Sequence, residues 1–164
     1  MLKRHVQTQS SRASVIPFPF PQERPQPKTF HHTIGIFLKD SNAYGNTYFA
    51  RYFEWQGVCR EHWFQQHICP DMLQTRGVLI TKCAHQDYAQ ETLPFQKVEC
   101  HLNTFNIKQC SFGLVFRFYV GGKLVSRGYQ QIVFADLNKK ITRFPKEVLD
   151  GVREYEDSEF SLND

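Results

Sequence analysis

Apolar and aromatic positions along the chain follow two spacings, one typical of a helix and the other typical of strands. From residue 47 to about residue 67 there is no proline, and side chains of similar character recur at steps of three and four, which predicts a long helix. Two stripes result, one through Phe49, Phe53, Gln56, Arg60 and Trp63 and the other through Tyr48, Tyr52, Trp55 and Cys59. Because a helix that is apolar on two sides must be covered on two sides, we expect the rest of the chain to wrap around it.

Stretches rich in β-branched and aromatic residues lie before and after this helix and predict strands. The predicted strands cover residues 29–38, 78–88, 96–105, 111–120 and 124–135. Gly121 and Gly122 supply a two-residue hairpin turn, and Pro145 opens a short helix through Val152. One strand, one helix and four strands in this order predict an α+β fold in which a curved antiparallel sheet of about five strands wraps a long central helix.

The two ends of the chain differ in composition from its middle. Residues 1–28 contain five prolines and predict a disordered or extended leader, and residues 153–164 form an acidic C-terminal tail of the same kind. The ordered domain is therefore expected at residues 29–152. The leader is basic and the tail is acidic by equal amounts, so the net charge of +4 belongs to the domain. A mildly basic domain suits an acidic carrier protein or the phosphates of CoA better than a nucleic acid, because no RNA-binding motif accompanies the basic residues.

Composition narrows the class of protein. A hydrophobic content of 41% is typical of a globular domain. No apolar run approaches the ~20 residues that cross a bilayer, and no signal peptide is recognisable, so we expect a cytoplasmic protein without a membrane partner. The five cysteines show no metal-site spacing, and we expect no metal and no cofactor. The 15 phenylalanines imply a packed aromatic core or a pocket for a long apolar group.

The segment from Asp40 to Glu61 reads DSNAYGNTYFARYFEWQGVCRE. It resembles the helix segment of the hotdog-fold thioesterases of the 4-hydroxybenzoyl-CoA thioesterase type, and most closely those of enediyne polyketide pathways. A second set of positions resembles the same subfamily, namely Thr81, Cys83, Tyr88, Glu91, Phe95 and Val98. The resemblance covers about residues 30–145 and implies a hotdog fold and an acyl thioesterase activity.

The resemblance also implies which residues form the site. At the position of Asn42 the wider family has an Asp that acts as nucleophile or general base, and an amide cannot take a proton near neutral pH. The subfamily places an oxyanion-stabilising Arg and a nearby Tyr at the positions of Arg60 and Tyr52, so these two residues and Asn42 are the candidate catalytic residues. Asp40 is expected to support the loop. The candidate substrate-binding residues are Tyr44, Gly45, Asn46, Tyr48, Phe49 and Gln56.

Residue chemistry alone leaves other readings open. Asn42 could be an ordinary turn residue. Arg60 shares one strip of the helix with Tyr52, and a buried Arg needs a partner, so an ion pair with Glu91 or Glu99 is as reasonable as a role in the site. Backbone amides at the start of the helix, at residues 46–49, could polarise a carbonyl group.

Substrate and assembly follow from the resemblance as well. The subfamily releases a β-ketoacyl chain from an acyl carrier protein or its polyketide synthase, and the freed β-keto acid loses CO₂, so we expect a (β-keto)acyl thioester of a carrier protein or CoA. Hotdog domains pair their sheets edge to edge, which implies a homodimer or homotetramer with the site between subunits. The alternative is a non-catalytic acyl-thioester-binding hotdog protein. A dehydratase is not expected, because the only close His–acid pair on the second strand does not match that family.

Overall fold

Five strands and two α-helices make up the computed structural model, which describes residues 27–71 and 76–162. The elements are β1 (Phe30–Gly35), α1 (Arg51–Trp63), β2 (Val78–Tyr88), β3 (Lys97–Phe105), β4 (Ser111–Val120), β5 (Lys123–Ala135) and α2 (Lys146–Arg153). A 3₁₀ turn at Leu38–Asp40 precedes α1, and a π-helical turn at Phe64–Ile68 extends it. Of the leader predicted at residues 1–28, residues 1–26 lie outside the described part. None of the described helices is long and apolar enough to cross a membrane.

The strands form one antiparallel sheet in the order β1-β3-β4-β5-β2. The hairpin between β4 and β5 turns through Gly121 and Gly122, whose φ angles of 56° and 77° are readily available only to glycine. β1 and β2 are the two edges of the sheet, and α1 packs on its inner face. This arrangement confirms the α+β fold expected from the order of the elements and the hotdog fold that the resemblance implied.

Aromatic side chains make the contact between α1 and the sheet. The Tyr52 ring lies 5.2 Å from the Phe118 ring of β4, and the Trp63 ring lies 6.1 Å from the Phe112 ring of the same strand. The buried phenylalanines of the described chain are Phe30, Phe64, Phe105, Phe112, Phe116, Phe118, Phe134 and Phe144. Ordinary core packing therefore accounts for much of the phenylalanine content.

The long helix differs from its prediction at both ends. Its predicted first residues form a turn instead, because the backbone N–H of Thr47 donates to the Thr92 carbonyl at 2.9 Å and that of Tyr48 donates to the Asp40 carbonyl at 2.8 Å. These long-range hydrogen bonds hold the chain in a loop until Arg51, where α1 begins. At the other end, the last predicted residues adopt the wider π-helical turn.

One stripe of α1 is fully buried in the single chain, and the other is buried only in part. Tyr52, Trp55 and Cys59 are buried, as predicted for their stripe. On the other stripe Gln56 and Trp63 are buried, whereas Phe53 is 37% exposed. Phe49, which precedes the helix, is 55% exposed. Both stripes are therefore covered towards the end of the helix, whereas an apolar strip next to the helix start remains uncovered in one protomer.

The acidic segment after α2 consists of turns around a β-bridge at Glu156, and it packs on the sheet. It runs beside β3 beyond the end of β1, where the Thr104 N–H donates to the Tyr155 carbonyl at 2.9 Å and the Asp157 N–H donates to the Thr104 carbonyl at 2.8 Å. It then crosses the outer face of the sheet, opposite α1, and the Phe160 ring lies 4.7 Å from the Phe105 ring. Residues 154–162 thus form part of the outer face.

Candidate active site

A pocket of about 320 Å³ lies where the loop before α1 meets the segment after β2. It is lined by Asn42, Asn46, Thr47, Phe49, Tyr52, Tyr88, Ala89, Gln90, Glu91 and Thr92. The structure therefore brings together four of the residues singled out in the sequence, namely Asn42, Asn46, Phe49 and Tyr52. Of the other residues singled out, Tyr44, Gly45 and Tyr48 are exposed on the same loop, whereas Gln56 and Arg60 do not line the pocket.

The loop that carries Asn42 is closed by its own hydrogen bonds. Ser41 and Thr47 form a β-bridge across it, and the Asn42 N–H donates to the Asn46 carbonyl at 2.9 Å. The side-chain Oδ1 of Asn42 accepts a hydrogen bond from the Tyr44 N–H at 2.8 Å, which is the turn role that residue chemistry suggested. The side-chain NH₂ of Asn42 has no acceptor within the described residues, so it is free to donate to a ligand carbonyl.

Asp40 stabilises this loop, as expected. Its carboxylate is buried and accepts hydrogen bonds from the Phe37 N–H at 2.9 Å and from Lys39 Nζ at 2.7 Å. Burial alone opposes ionisation of Asp40, but these hydrogen bonds together with the charges of Lys39 and Arg51 outweigh it and lower the pKa of Asp40. A carboxylate fixed in this way supports the loop and is a weak proton acceptor.

Three hydroxyl groups form a buried chain at the floor of the pocket. The Tyr52 hydroxyl lies 3.0 Å from Thr92 Oγ1, and the Thr92 hydroxyl donates to Thr47 Oγ1 at 2.8 Å. The Thr47 hydroxyl in turn donates to the Thr92 carbonyl at 3.1 Å. Because the single hydroxyl proton of Thr92 is directed at Thr47, Tyr52 donates its own proton to Thr92.

The two tyrosines of the pocket are held in the protonated form. Burial raises the pKa of Tyr52, with the hydrogen bond to Thr92 opposing the shift. Burial also raises the pKa of Tyr88, and the nearby Tyr52 adds to the effect. The Tyr88 hydroxyl donates to the Phe49 carbonyl at 2.9 Å and so ties the end of β2 to the start of α1. Both groups are hydrogen-bond donors, and neither is suited to accept a proton near neutral pH.

Backbone amides at the start of α1 face no protein acceptor. Within the described residues, the N–H groups of Phe49 and Ala50 make no hydrogen bond, whereas the following N–H groups enter the helix. Such amides at a helix N-terminus carry partial positive charge and can stabilise a developing oxyanion. The sequence predicted such amides at residues 46–49. The structure has them at Phe49 and Ala50, because α1 begins at Arg51 and not at residue 47.

Gln56 lies outside the pocket, in the core between α1 and β2. Its side chain is fully buried, and its Nε2 donates to the His85 carbonyl at 2.9 Å and to Gln86 Oε1 at 2.6 Å. Gln86 continues the chain by donating to the Ser126 hydroxyl at 2.6 Å. The structure therefore gives Gln56 a place in a buried polar network, and its predicted role in substrate binding has no geometric support in a single protomer.

Arg60 also lies away from the pocket, near the middle of the sheet edge. Its guanidinium donates to the Thr81 hydroxyl at 2.6 Å and to Gln130 Oε1 at 3.0 Å, and its side chain is 15% exposed. The closest carboxylate is that of Glu61 at 3.4 Å, so the alternative ion pairs with Glu91 or Glu99 are not formed within one chain. Eight residues separate Arg60 from Tyr52, which is about 12 Å along a helix.

The pocket also contains residues that sequence reasoning did not assign to the site. Tyr88 and Glu91 appeared only as points of resemblance, and Thr47 and Thr92 were not considered. Thr92 carries no local signal, because its partner Tyr52 is 40 residues away in sequence.

A model of a known protein family matches most of the chain. A model of the thioesterase-like superfamily matches residues 37–152, which include the whole pocket. The chain belongs to this superfamily. Membership supports hydrolysis of acyl thioesters as the general activity of this thioesterase-like protein. The curated proteins contain no significant match to it, and its described residues contain no cluster of His, Cys, Asp and Glu that could hold a metal ion.

Solved thioesterase structures share the fold of this thioesterase-like protein. The dynemicin thioesterase, whose structures reveal effects of polyene binding, gives a TM-score of 0.72 at 24% identity over 79% of this chain and 98% of its own. A 1,4-dihydroxy-2-naphthoyl-CoA thioesterase from Synechocystis gives 0.69 at 15% identity over 77% and 96%. A gentisyl-coenzyme A thioesterase gives 0.68 at 18% identity over 76% and 99%. At these identities the similarity establishes the fold.

Proposed function

We propose that this protein is an acyl thioesterase that hydrolyses a (β-keto)acyl thioester carried by an acyl carrier protein, a polyketide synthase or CoA. The observation that carries the proposal is the pocket itself, in which free hydrogen-bond donors surround a space of about 320 Å³. The donors are the side-chain amide of Asn42 and the backbone N–H of Phe49, which line the pocket, and the N–H of Ala50 follows next in the chain; none of them has an acceptor within the described residues. They are the groups that an oxyanion formed from a thioester carbonyl requires.

The substrate class is proposed from the chemistry of a site without an Asp at position 42. A carbonyl group at the β position withdraws electrons and makes the thioester more reactive towards water. The β-keto acid that hydrolysis releases can lose CO₂ without further assistance. Resemblance of the Asp40–Glu61 segment to enediyne-pathway enzymes supports a long ketoacyl chain on a carrier protein, and the CoA thioesterases of the same fold support an aromatic acyl group on CoA.

We place the complete site between two subunits. β2 is an edge strand, and Thr81, which holds Arg60, lies seven residues from Tyr88 at the pocket, roughly 23 Å along the strand. If two β2 edges pair antiparallel about an axis midway between these positions, Arg60 of one protomer comes next to the pocket of its partner. The separation of Arg60 from Tyr52 within one chain is then a consequence of a shared site.

One observation favours the alternative, a non-catalytic acyl-binding protein. Asn42 uses its side-chain oxygen in a turn, and the Tyr52 hydroxyl already donates to Thr92. Neither group can accept a proton from water. Unless another group in the pocket accepts that proton, the protein would bind an acyl thioester and leave it intact.

The two functions are separated by measuring thiol release from a panel of thioesters. The panel contains straight-chain acyl-CoA, β-ketoacyl-CoA, aromatic acyl-CoA and the β-ketoacyl thioester of an acyl carrier protein. We expect turnover that is fastest for a β-keto substrate, with an Asn42→Ala variant losing most of the rate. Tight acyl binding without turnover of any thioester would establish the alternative and reject the hydrolase.

A further inference from the structure

Hydrolysis of a thioester needs a group that takes a proton from the attacking water. Asn42 is an amide and cannot do so, and the hydroxyl groups of Tyr52 and Tyr88 are donors that burial keeps protonated. Among the described residues that line the pocket, the one carboxylate is that of Glu91. Glu91 is therefore the candidate proton acceptor in this pocket.

Glu91 lies in a segment that is fixed on both sides. Before it, the Gln90 N–H donates to the Val125 carbonyl at 3.0 Å. After it, the Thr92 carbonyl accepts a hydrogen bond from the Thr47 N–H at 2.9 Å, and the Thr92 side chain belongs to the buried hydroxyl chain. The backbone that presents Glu91 is thus held relative to the start of α1, as a catalytic group requires.

The side chain of Glu91 is held from the opposite side of the pocket. Asn46 Nδ2 donates to Glu91 Oε1 at 2.8 Å, and the Asn46 carbonyl accepts the Asn42 N–H at 2.9 Å. The second carboxylate oxygen, Oε2, has no donor within the described residues. Glu91 is exposed in the single chain, at the rim of the pocket, where water has access to Oε2.

We propose that Glu91 is the general base of this hydrolase, held in place by Asn46, and this inference rests on the proposed function. Glu91 takes one proton from a water molecule while the water oxygen bonds to the thioester carbonyl carbon. The carbonyl oxygen becomes an oxyanion facing the N–H groups at the start of α1. When the oxyanion collapses, the C–S bond breaks and the proton on Glu91 passes to the leaving thiolate. The products are the carboxylic acid and the free thiol, and Glu91 is again a carboxylate.

The test compares Glu91→Gln with Glu91→Ala and with the wild-type chain in full length. Gln keeps an oxygen that accepts the hydrogen bond from Asn46 but cannot take a proton, so it separates proton transfer from loop support. Thiol release is measured from a β-ketoacyl-CoA at pH 7, with circular dichroism to show that each variant is folded. Glu99→Gln, an exposed carboxylate on β3 whose side chain lies on the other face of the sheet, is the matched control.

We expect kcat of Glu91→Gln to fall by about 100-fold or more, with KM little changed. Glu99→Gln should match the wild type. A Glu91→Gln variant within a few-fold of wild-type kcat overturns the base role, and loss in Glu91→Ala alone would show that Glu91 only anchors Asn46. Absence of turnover by the wild type would reject the hydrolase itself, which is a different outcome from an active wild type with an active Glu91→Gln.

Discussion

The hydroxyl group of Tyr52 belongs to a buried chain whose links run from α1 to Thr92 and Thr47. Thr92→Val keeps the shape of the side chain but removes the central hydroxyl, which leaves the Tyr52 hydroxyl without its acceptor. We expect the free energy of unfolding to fall by about 1–3 kcal/mol, because buried polar groups lose their partners. Urea denaturation measures this loss. Thr92→Ser should restore most of it, and Thr33→Val, at an exposed position on β1, should have little effect.

Asp40 makes a contribution to stability that depends on pH. Its pKa is lowered in the folded state, so its contribution is complete above the ordinary pKa of Asp near 4 and is lost as pH falls through the lower folded value. Asp40→Asn should lower the free energy of unfolding by about 1–3 kcal/mol at pH 7, and by much less near pH 2. Equal losses at both pH values would contradict this account. Glu54→Gln, which removes another partner of Arg51 at an exposed position, should show little change at either pH.

The residues of the site were predictable to the extent that they lie close together in sequence. Asn42 and Tyr52 belong to one segment, and the resemblance marked both of them as site residues. Thr92 and Glu91 reach the same pocket only because β2 ends opposite the start of α1, which is a property of the sheet order. Single-sequence reasoning therefore finds the helix side of the pocket and has no means to pair it with the strand side.

At the scale of elements, the close packing of α1 on strands β2 and β5 requires that position 128 of β5 has no side chain. A Cβ atom there would lie 2.3 Å from Gln56 Nε2 and 2.4 Å from Gln86 Oε1. Gly128→Ala should therefore destabilise the protein by about 1–3 kcal/mol or more, because it forces the two buried amides apart. Gly57→Ala is the matched control, since nothing lies within 4 Å of its added Cβ in the middle of α1, and it should be stabilising by about 0.5–1 kcal/mol. Melting temperatures of the two variants should shift in opposite directions.

The elements themselves followed from local pattern, whereas their ends did not. Alternation and turn residues predicted β2 and β4 with the bounds that the structure gives, because these strands are decided by periodicity and by Gly121-Gly122. The start of α1 was predicted four residues early. Helix propensity at residues 47–50 is overridden by backbone hydrogen bonds to Thr92 and Asp40, which only the folded chain provides.

At the scale of the whole molecule, the acidic C-terminal segment offsets the repulsion between two arginines on the sheet. Arg117 and Arg127 stand directly opposite each other on β4 and β5, an unfavourable pairing of like charges. The Asp157 carboxylate accepts a hydrogen bond from Arg117 at 2.6 Å, and the Phe160 ring lies under both guanidinium groups, 5.7 and 6.0 Å from them. Composition favoured an unstructured tail, because the number of acidic residues does not show which cations they contact in the folded chain.

This compensation predicts the effect of removing Asp157. Asp157→Ala should lower the free energy of unfolding by about 3 kcal/mol, because it leaves a partly buried guanidinium without its carboxylate partner. The double variant Asp157→Ala with Arg117→Met should be more stable than Asp157→Ala alone, since the unpaired charge is then gone. Urea denaturation of the four proteins of this cycle gives the interaction free energy. An additive cycle would show that the pair is not coupled, and Asp150→Ala, at an exposed position on α2, should have little effect.

A site shared between two subunits predicts that two inactive variants can complement each other. In the proposed dimer, Tyr52→Phe would damage the pocket and Arg60→Ala would remove the guanidinium next to the partner's pocket, so each homodimer would have two defective sites. A mixed dimer has both lesions in one site and none in the other. Unfolding and refolding an equimolar mixture should therefore restore about a quarter of wild-type activity, because half of the dimers are mixed and each has one intact site. The double variant in one chain, mixed with wild type, places one lesion in each site of a mixed dimer and should reduce activity below the average of the two. Failure of the first mixture to recover activity, with dimers present by light scattering, would place Arg60 outside the shared site.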